Sequence, residues 1–256
     1  MKNENRSAVE EGLSKVPELT LVFWIIKILA TTLGETAGDA VSMSMNLGYL
    51  AGTAIFAALF LIAVFIQIKA VRFHPVIYWT TIIATTTVGT TLADFADRSL
   101  GIGYAGGASL LFALLMGSLA LWYWVMGSVS VNSVSNPKSE VFYWVTIMFS
   151  QTLGTALGDW TADSAGMGYG GSAILFTGML LIVVLLKYWP RISRTFLFWA
   201  AFILTRPLGA VVGDFLDKPL EKGGLALSRY TASAALMACI VGCIFIFPHR
   251  ASRKAH

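Results

Sequence analysis

Charge is scarce in this sequence. Of its 256 residues only 12% are Asp, Glu, Lys or Arg, while 56% are hydrophobic. A soluble globule carries about 25% charged residues, so that class is excluded and lipid is the expected solvent for most of the surface. Histidine and cysteine are scarcer still. His74, His249 and His256 fall in linkers or the tail, and Cys239 and Cys243 sit four apart on one face of the last apolar segment, a spacing that disfavours a disulfide. The two cysteines read as small packing residues, and without His or Cys in the polar layer Zn²⁺ and Cu⁺ fit less well than hard cations. No long basic run points to nucleic acid. The opening eighteen residues, MKNENRSAVEEGLSKVPE, lack the apolar core of a signal peptide, so the N-terminus is expected to be retained.

What is present is a repeat. An aromatic-Trp pair recurs at Phe23-Trp24, Tyr78-Trp79, Tyr143-Trp144 and Phe198-Trp199. Ten residues after each Trp stands a glycine (Gly34, Gly89, Gly154, Gly209), and five further on an aspartate (Asp39, Asp94, Asp159, Asp214). The segments read LGETAGD, VGTTLAD, LGTALGD and LGAVVGD. Gly48-Tyr49, Gly103-Tyr104 and Gly168-Tyr169 follow at one fixed distance, whereas the fourth copy diverges through Gly223-Gly224 to Tyr230. Each copy closes on an apolar stretch long enough to cross a hydrocarbon core of about 30 Å.

These features predict an all-α integral membrane fold of eight transmembrane helices, arranged as four parallel two-helix repeats around a pseudo-symmetric polar axis. The expected spans lie near 20–39, 50–68, 77–96, 105–126, 141–160, 170–189, 196–215 and 228–247. A polar tail at 1–19 precedes a membrane domain at 20–247, with repeats near 20–70, 76–126, 141–190 and 196–247, and a basic tail at 248–256 follows. Twelve basic residues lie in the tails and the linkers between repeats, against four (Arg98, Lys218, Lys222, Arg229) in the hairpins within repeats. The positive-inside rule therefore places both termini in the cytoplasm. The Trp residues read as interfacial anchors, and the aspartates come roughly 22 Å further along each helix, in the outer half of the membrane.

The first helix of each repeat is polar between Trp and Asp and the second is featureless, so an inner ring of first helices is expected, with second helices facing lipid. Thr32, Thr87, Thr152 and Gln151 are the expected polar lining. The repeat breaks at Glu35, at Arg206 with Pro207 beside it, and at Lys27, which is placed to snorkel toward the cytoplasmic end. The four aspartates and Glu35 against Arg206 leave a formal −4, which protons or cations must offset. Glu35 and Arg206 read equally as a mutual ion pair or as substrate contacts.

Intramembrane carboxylates usually mark an ion path. The leading expectation is a transporter that moves a cation along an axial path bound by Asp39, Asp94, Asp159, Asp214 and Glu35, with the four aspartates as metal ligands, Arg206 tuning the charge and protons coupling the cycle. The oxygen donors suit Mg²⁺, Mn²⁺, Ca²⁺ or Na⁺ as the bound cation, and no cofactor is expected. One alternative is a structural or regulatory membrane protein whose aspartates lock the repeats. Another is a proton-coupled carrier of a small organic solute or anion, with Arg206 as the anion partner. Partners are then the bilayer and an inorganic cation or proton, with homo-oligomers left open. An enzyme is not expected: GxSxG, HExxH and phosphate-cradling loops are absent, and TAGD, TLAD, ALGD and VVGD miss the Gly-x-Gly-Asp of intramembrane aspartyl proteases.

The Trp, the Gly-x4-Asp and the Gly-Tyr turn in four tandem copies resemble a bacterial membrane family known as a four-fold repeat of unknown function, often called uncharacterised membrane-anchored protein. The resemblance covers about residues 20–247. It implies eight spans and a bacterial inner membrane location, and it brings no substrate.

Overall fold

The computed structural model describes residues 14–252. Lys2, Arg6, Arg253, Lys254 and His256, part of the expected tails, lie outside them. Among the described residues the fold is all-α, with eight long helices: α1 Leu21–Asp39, α2 Gly48–Lys69, α3 Pro75–Asp94, α4 Tyr104–Met126, α5 Pro137–Asp159, α6 Gly168–Leu186, α7 Arg194–Asp217 and α8 Arg229–Ile246. Seven are long and apolar enough to cross a membrane. The exception is α5, whose Glu140, Ser150, Gln151 and Thr152 are all buried within the bundle.

Local chemistry sets the helix starts. Thr20 accepts from the Phe23 N–H, Ser193 accepts from the Phe196 N–H, and Asn136 with Ser139 forms a capping box ahead of α5. Pro75 and Pro137 occupy first-turn positions where a missing N–H costs nothing. Gly48, Gly103 and Gly168 open the second helices of the first three repeats at φ of 78°, 75° and 63°, which explains the glycine of each Gly-Tyr pair. Between helices of these repeats the chain makes one π-helical turn, at Ala40–Ser44, Phe95–Ser99 and Trp160–Ser164. In the fourth repeat α7 instead runs on to Asp217.

The first helices form a closed inner ring, α1 against α3, α3 against α5, α5 against α7 and α7 against α1. Glycine makes this possible. A Cβ on Gly89 would stand 3.1 Å from the backbone of Gln151, and one on Gly34, Gly154 or Gly209 would collide with Thr86, Arg206 or Thr31. Each repeat glycine thus faces the residue three positions before the glycine of the next repeat. One turn on, Gly38, Gly158 and Gly213 meet Thr90, Ala210 and Glu35 in the same order.

The second helices do not fold back on their own repeat. Instead α2 packs on α3, α4 on α5, α6 on α7, and α8 returns to α1. They turn large apolar side chains outward, among them Leu61, Phe112, Ile174, Leu185 and Phe245. Both ends of the described chain meet at the Trp end of the bundle, where the Ser14 N–H donates to the Ser252 carbonyl at 3.0 Å and Pro17 bridges to Ala251. Residues 14–18 of the expected N-terminal tail thus pack against the C-terminal end. Lys15 is buried, pairs with Glu140 at 2.7 Å and donates to the Ile68 carbonyl.

The Trp end also corrects the expectation of interfacial anchors. Trp79, Trp144 and Trp199 are buried and Trp24 half-buried, and they pack with Phe23, Tyr78, Tyr143, Phe198, Phe202 and Trp122 into one interior aromatic cluster. The Tyr78 and Tyr143 hydroxyls share a 2.7 Å hydrogen bond inside it. The rings meet edge-on or tilted, as at Trp122 with Trp199 and Tyr78 with Trp144.

Candidate functional site

Four residues make slightly more than one helical turn, so residues i, i+4 and i+8 form one ridge. On α1 that ridge is Lys27, Thr31, Glu35, Asp39. On α3 it is Ile82, Thr86, Thr90, Asp94; on α5 Ile147, Gln151, Thr155, Asp159; on α7 Phe202, Arg206, Ala210, Asp214. All sixteen residues are buried. The axis is therefore built in four layers.

Lys27 belongs to the first layer and does not snorkel. Its side chain is wholly buried, with Nζ 3.4 Å from Gln151 Oε1 and 4.2 Å from the centre of the Phe202 ring. The ridge directs it inward, which corrects the sequence expectation. Thr87 moves the other way. It lines a groove between α2 and α3 and gives its hydroxyl to the Ile83 carbonyl, because it sits about 100° round the helix from Thr86. Thr32 and Thr152 share its register, and Thr152 likewise bonds the carbonyl of Met148. The axis is lined by Thr31, Thr86, Thr90 and Thr155 in their place, while Gln151 does face it.

Arg206 fills the second layer. Its Nε donates to the Gln151 carbonyl at 3.2 Å, and Nη1 to the Thr31 carbonyl at 3.1 Å. Its Nη2 meets Glu35 Oε2 at 3.2 Å, Thr90 Oγ1 at 2.5 Å and Thr155 Oγ1 at 2.6 Å. One guanidinium on α7 thus engages α1, α3 and α5 together. Pro207 follows it within the helix.

The aspartate layer carries more cations than the repeat alone predicts. Arg98 pairs with Asp94 at 2.9 Å and with Asp159 at 3.3 Å. Lys218 pairs with Asp39 and, at 2.9 Å, with Asp214, and Arg229 pairs with Asp217 at 3.0 Å and Asp39 at 3.6 Å. The four aspartates are thereby divided into two bridged couples, Asp94 with Asp159 and Asp39 with Asp214. Counting these pairs with Glu35–Arg206, six carboxylates, the five expected ones and Asp217, face four cations, which leaves a formal −2.

The hairpin bases Arg98 and Lys218, which by loop position indicate only orientation, turn inward onto the aspartates. A signal existed. Copies two and four alone read DFADR and DFLDK, which put a base at i+4 from the repeat aspartate and a second acid at i+3. In copies one and three Met43 and Asp163 hold the i+4 position. A two-fold pattern therefore overlies the four-fold one. Asp97, the counterpart of Asp217, is buried against Gly107. Asp163 is exposed and accepts from the Tyr104 hydroxyl at 3.4 Å.

Carboxylate oxygens of Asp39, Asp214 and Asp217 lie within 4.8 Å of one another, an oxygen set that suits a hard cation. The Lys218 ammonium stands among them. Burial pulls that ammonium toward its neutral form, but Asp214, Asp39 and Asp217 more than reverse this and hold its pKa well above the usual lysine range. Asp94 and Asp159 belong to the other couple, so this structure does not gather the four repeat aspartates round one centre.

No curated protein and no solved structure matches the chain. The four stretches 22–73, 77–128, 142–193 and 197–253 each match the family model described as Repeat of Unknown Function (DUF347), so the chain belongs to that family of tandem repeats.

Proposed function

We propose that this chain is an eight-span carrier of a bacterial inner membrane, with both termini cytoplasmic, that moves a hard cation through its aspartate layer. The observation that carries the reading is Lys218, a tethered cation held by Asp39, Asp214 and Asp217 where a free cation would find oxygen donors. An arriving Mg²⁺, Mn²⁺, Ca²⁺ or Na⁺ displaces the ammonium, and the ammonium returns on release, so the carboxylates are never left without a counter-charge in a poorly solvated layer. Proton exchange on these carboxylates can couple the cycle to a gradient. The Arg206 layer and the aromatic cluster fill the axis toward the termini, which favours a carrier over an open channel. Glu35 tunes the charge of Arg206 as its ion partner.

The test is flux of each ion into proteoliposomes. Asp39→Asn and Asp214→Asn are expected to abolish uptake that the wild type supports, and Lys218→Ala to slow release. Unchanged uptake in the two Asn variants would end the mechanism. A second reading, that the charged layers only lock the repeats together, is favoured by the way Arg206 ties all four inner helices. It gains if the wild type moves none of these ions while the Asn variants simply melt lower. An anion carrier built on Arg206 draws less support, because the guanidinium is already surrounded by acceptors from its own protein.

A further inference from the structure

Grooves open between the second helix of one repeat and the first of the next. One lies between α2 and α3 and another between α4 and α5, and both are lined without an ionised side chain. The groove between α6 and α7, about 230 Å³, differs: Val184, Leu197, Trp24 and Phe198 form its apolar floor, and Lys187 and Arg194 stand in its wall. Lys187 caps the end of α6 and Arg194 begins α7, so both residues sit at one end of the bundle. Arg194 Nη1 donates to the Lys187 carbonyl at 2.9 Å, which holds the guanidinium against the backbone at Lys187. Among the described residues neither makes an ion pair, and the sequence has no acidic residue between Asp163 and Asp214. Arg191 adds a third cation to the same turn. Tyr188 and Trp189 beside them are 81% and 62% exposed, amphipathic rings of the kind that settle at headgroup depth.

We infer that this groove binds one anionic phospholipid of the leaflet at the termini end, with its phosphate between Lys187 and Arg194 and an acyl chain along Val184 and Leu197. The inference rests on the membrane reading above and is independent of what the protein carries. An apolar groove that carries two cations in its wall complements a molecule that is anionic at one end and aliphatic over the rest. Inorganic phosphate would satisfy only the cations.

The test uses the full chain in nanodiscs of phosphatidylcholine, with and without phosphatidylglycerol, followed by native mass spectrometry of the lipid retained after detergent washing. The wild type is expected to keep phosphatidylglycerol in preference to phosphatidylcholine. Lys187→Gln with Arg194→Gln should bind it roughly thirtyfold more weakly, the loss expected for two basic contacts. Lys69→Gln with Lys138→Gln, at the same end but away from the groove, should bind as the wild type does. Thermal unfolding in phosphatidylcholine alone checks that the variants fold. Equal retention of the two lipids, an equal loss in both double variants, or displacement by inorganic phosphate would each overturn the site. Failure of the wild type to enter nanodiscs would instead overturn the membrane reading.

Discussion

Arg206 on α7 and Glu35 on α1 form an ion pair of 3.2 Å in which neither side chain is more than 3% exposed. Both residues depart from the repeat pattern on the axis, and they meet each other. The pair closes the seam between the fourth repeat and the first, and Thr90 and Thr155 bring in the other two.

Removing one partner of such a pair leaves a buried charge without compensation. Arg206→Met is expected to cost about 3–5 kcal/mol, and Arg206→Met with Glu35→Met to recover a substantial part of that loss. Thermal unfolding in detergent, followed by tryptophan fluorescence, reads both variants.

The glycine contacts make an opposite kind of prediction. Gly209→Ala inserts a methyl group into Thr31, so it should cost about 1–3 kcal/mol through overpacking. Gly170→Ala, whose new methyl group meets nothing within 4 Å, should stay within about 0.5 kcal/mol of wild type. Paired denaturation curves would separate them.

Lys218 offers a pH test with a defined sign. Its pKa is raised in the folded protein, so its contribution is fully present below the ordinary lysine value of about 10.4 and is lost only as pH rises through the higher folded one. Lys218→Met should therefore melt well below wild type near neutral pH. The gap should stay open from neutral pH up to about pH 10. A gap that is absent at neutral pH or closes well below about pH 10, measured by melting temperature, would show that the ammonium is not what holds Asp39 and Asp214 together.

Tyr78→Phe removes one half of the buried 2.7 Å hydroxyl pair and leaves Tyr143 without its partner. A loss of about 1–3 kcal/mol is expected, together with a changed near-ultraviolet circular dichroism signal from the surrounding rings.

Much of this architecture was legible in the letters because the repeat preserves spacing. The Trp, Gly and Asp positions marked four first helices and their common depth. The break at Arg206 pointed to a position that the structure places on the axis. What escaped was governed by direction. Lys27 reads as a charge near a helix end, and only its place on the ridge with Thr31, Glu35 and Asp39 turns it inward. Thr87 lies beside Thr86 in sequence, yet one residue is about 100° of rotation, enough to move it off the axis. The tryptophans follow the same rule: an aromatic residue at a helix end suits a lipid interface or a packed interior equally well, and only the approach of α1, α3, α5 and α7 decides. Arg98 and Lys218 carry two messages at once: position in a hairpin speaks to the side of the membrane, while the i+4 relation to an aspartate sets the ion pair.

The outer helices carry a last consequence. Each repeat lends its second helix to the following one, and α8 completes the circuit by covering α1, with residues 14 and 252 in contact where the circuit closes. A ring joined in this way has no privileged first member. A circular permutant that joins residue 252 to residue 14 through a short linker and opens between Lys69 and Pro75 would begin at α3 and end at α2, and every helix would keep its neighbours. The same geometry means that one repeat alone lacks the cover for its own inner helix. Its smallest self-sufficient form would be four identical copies in a head-to-tail cycle, the heterologous closed symmetry that the single chain now imitates by duplication.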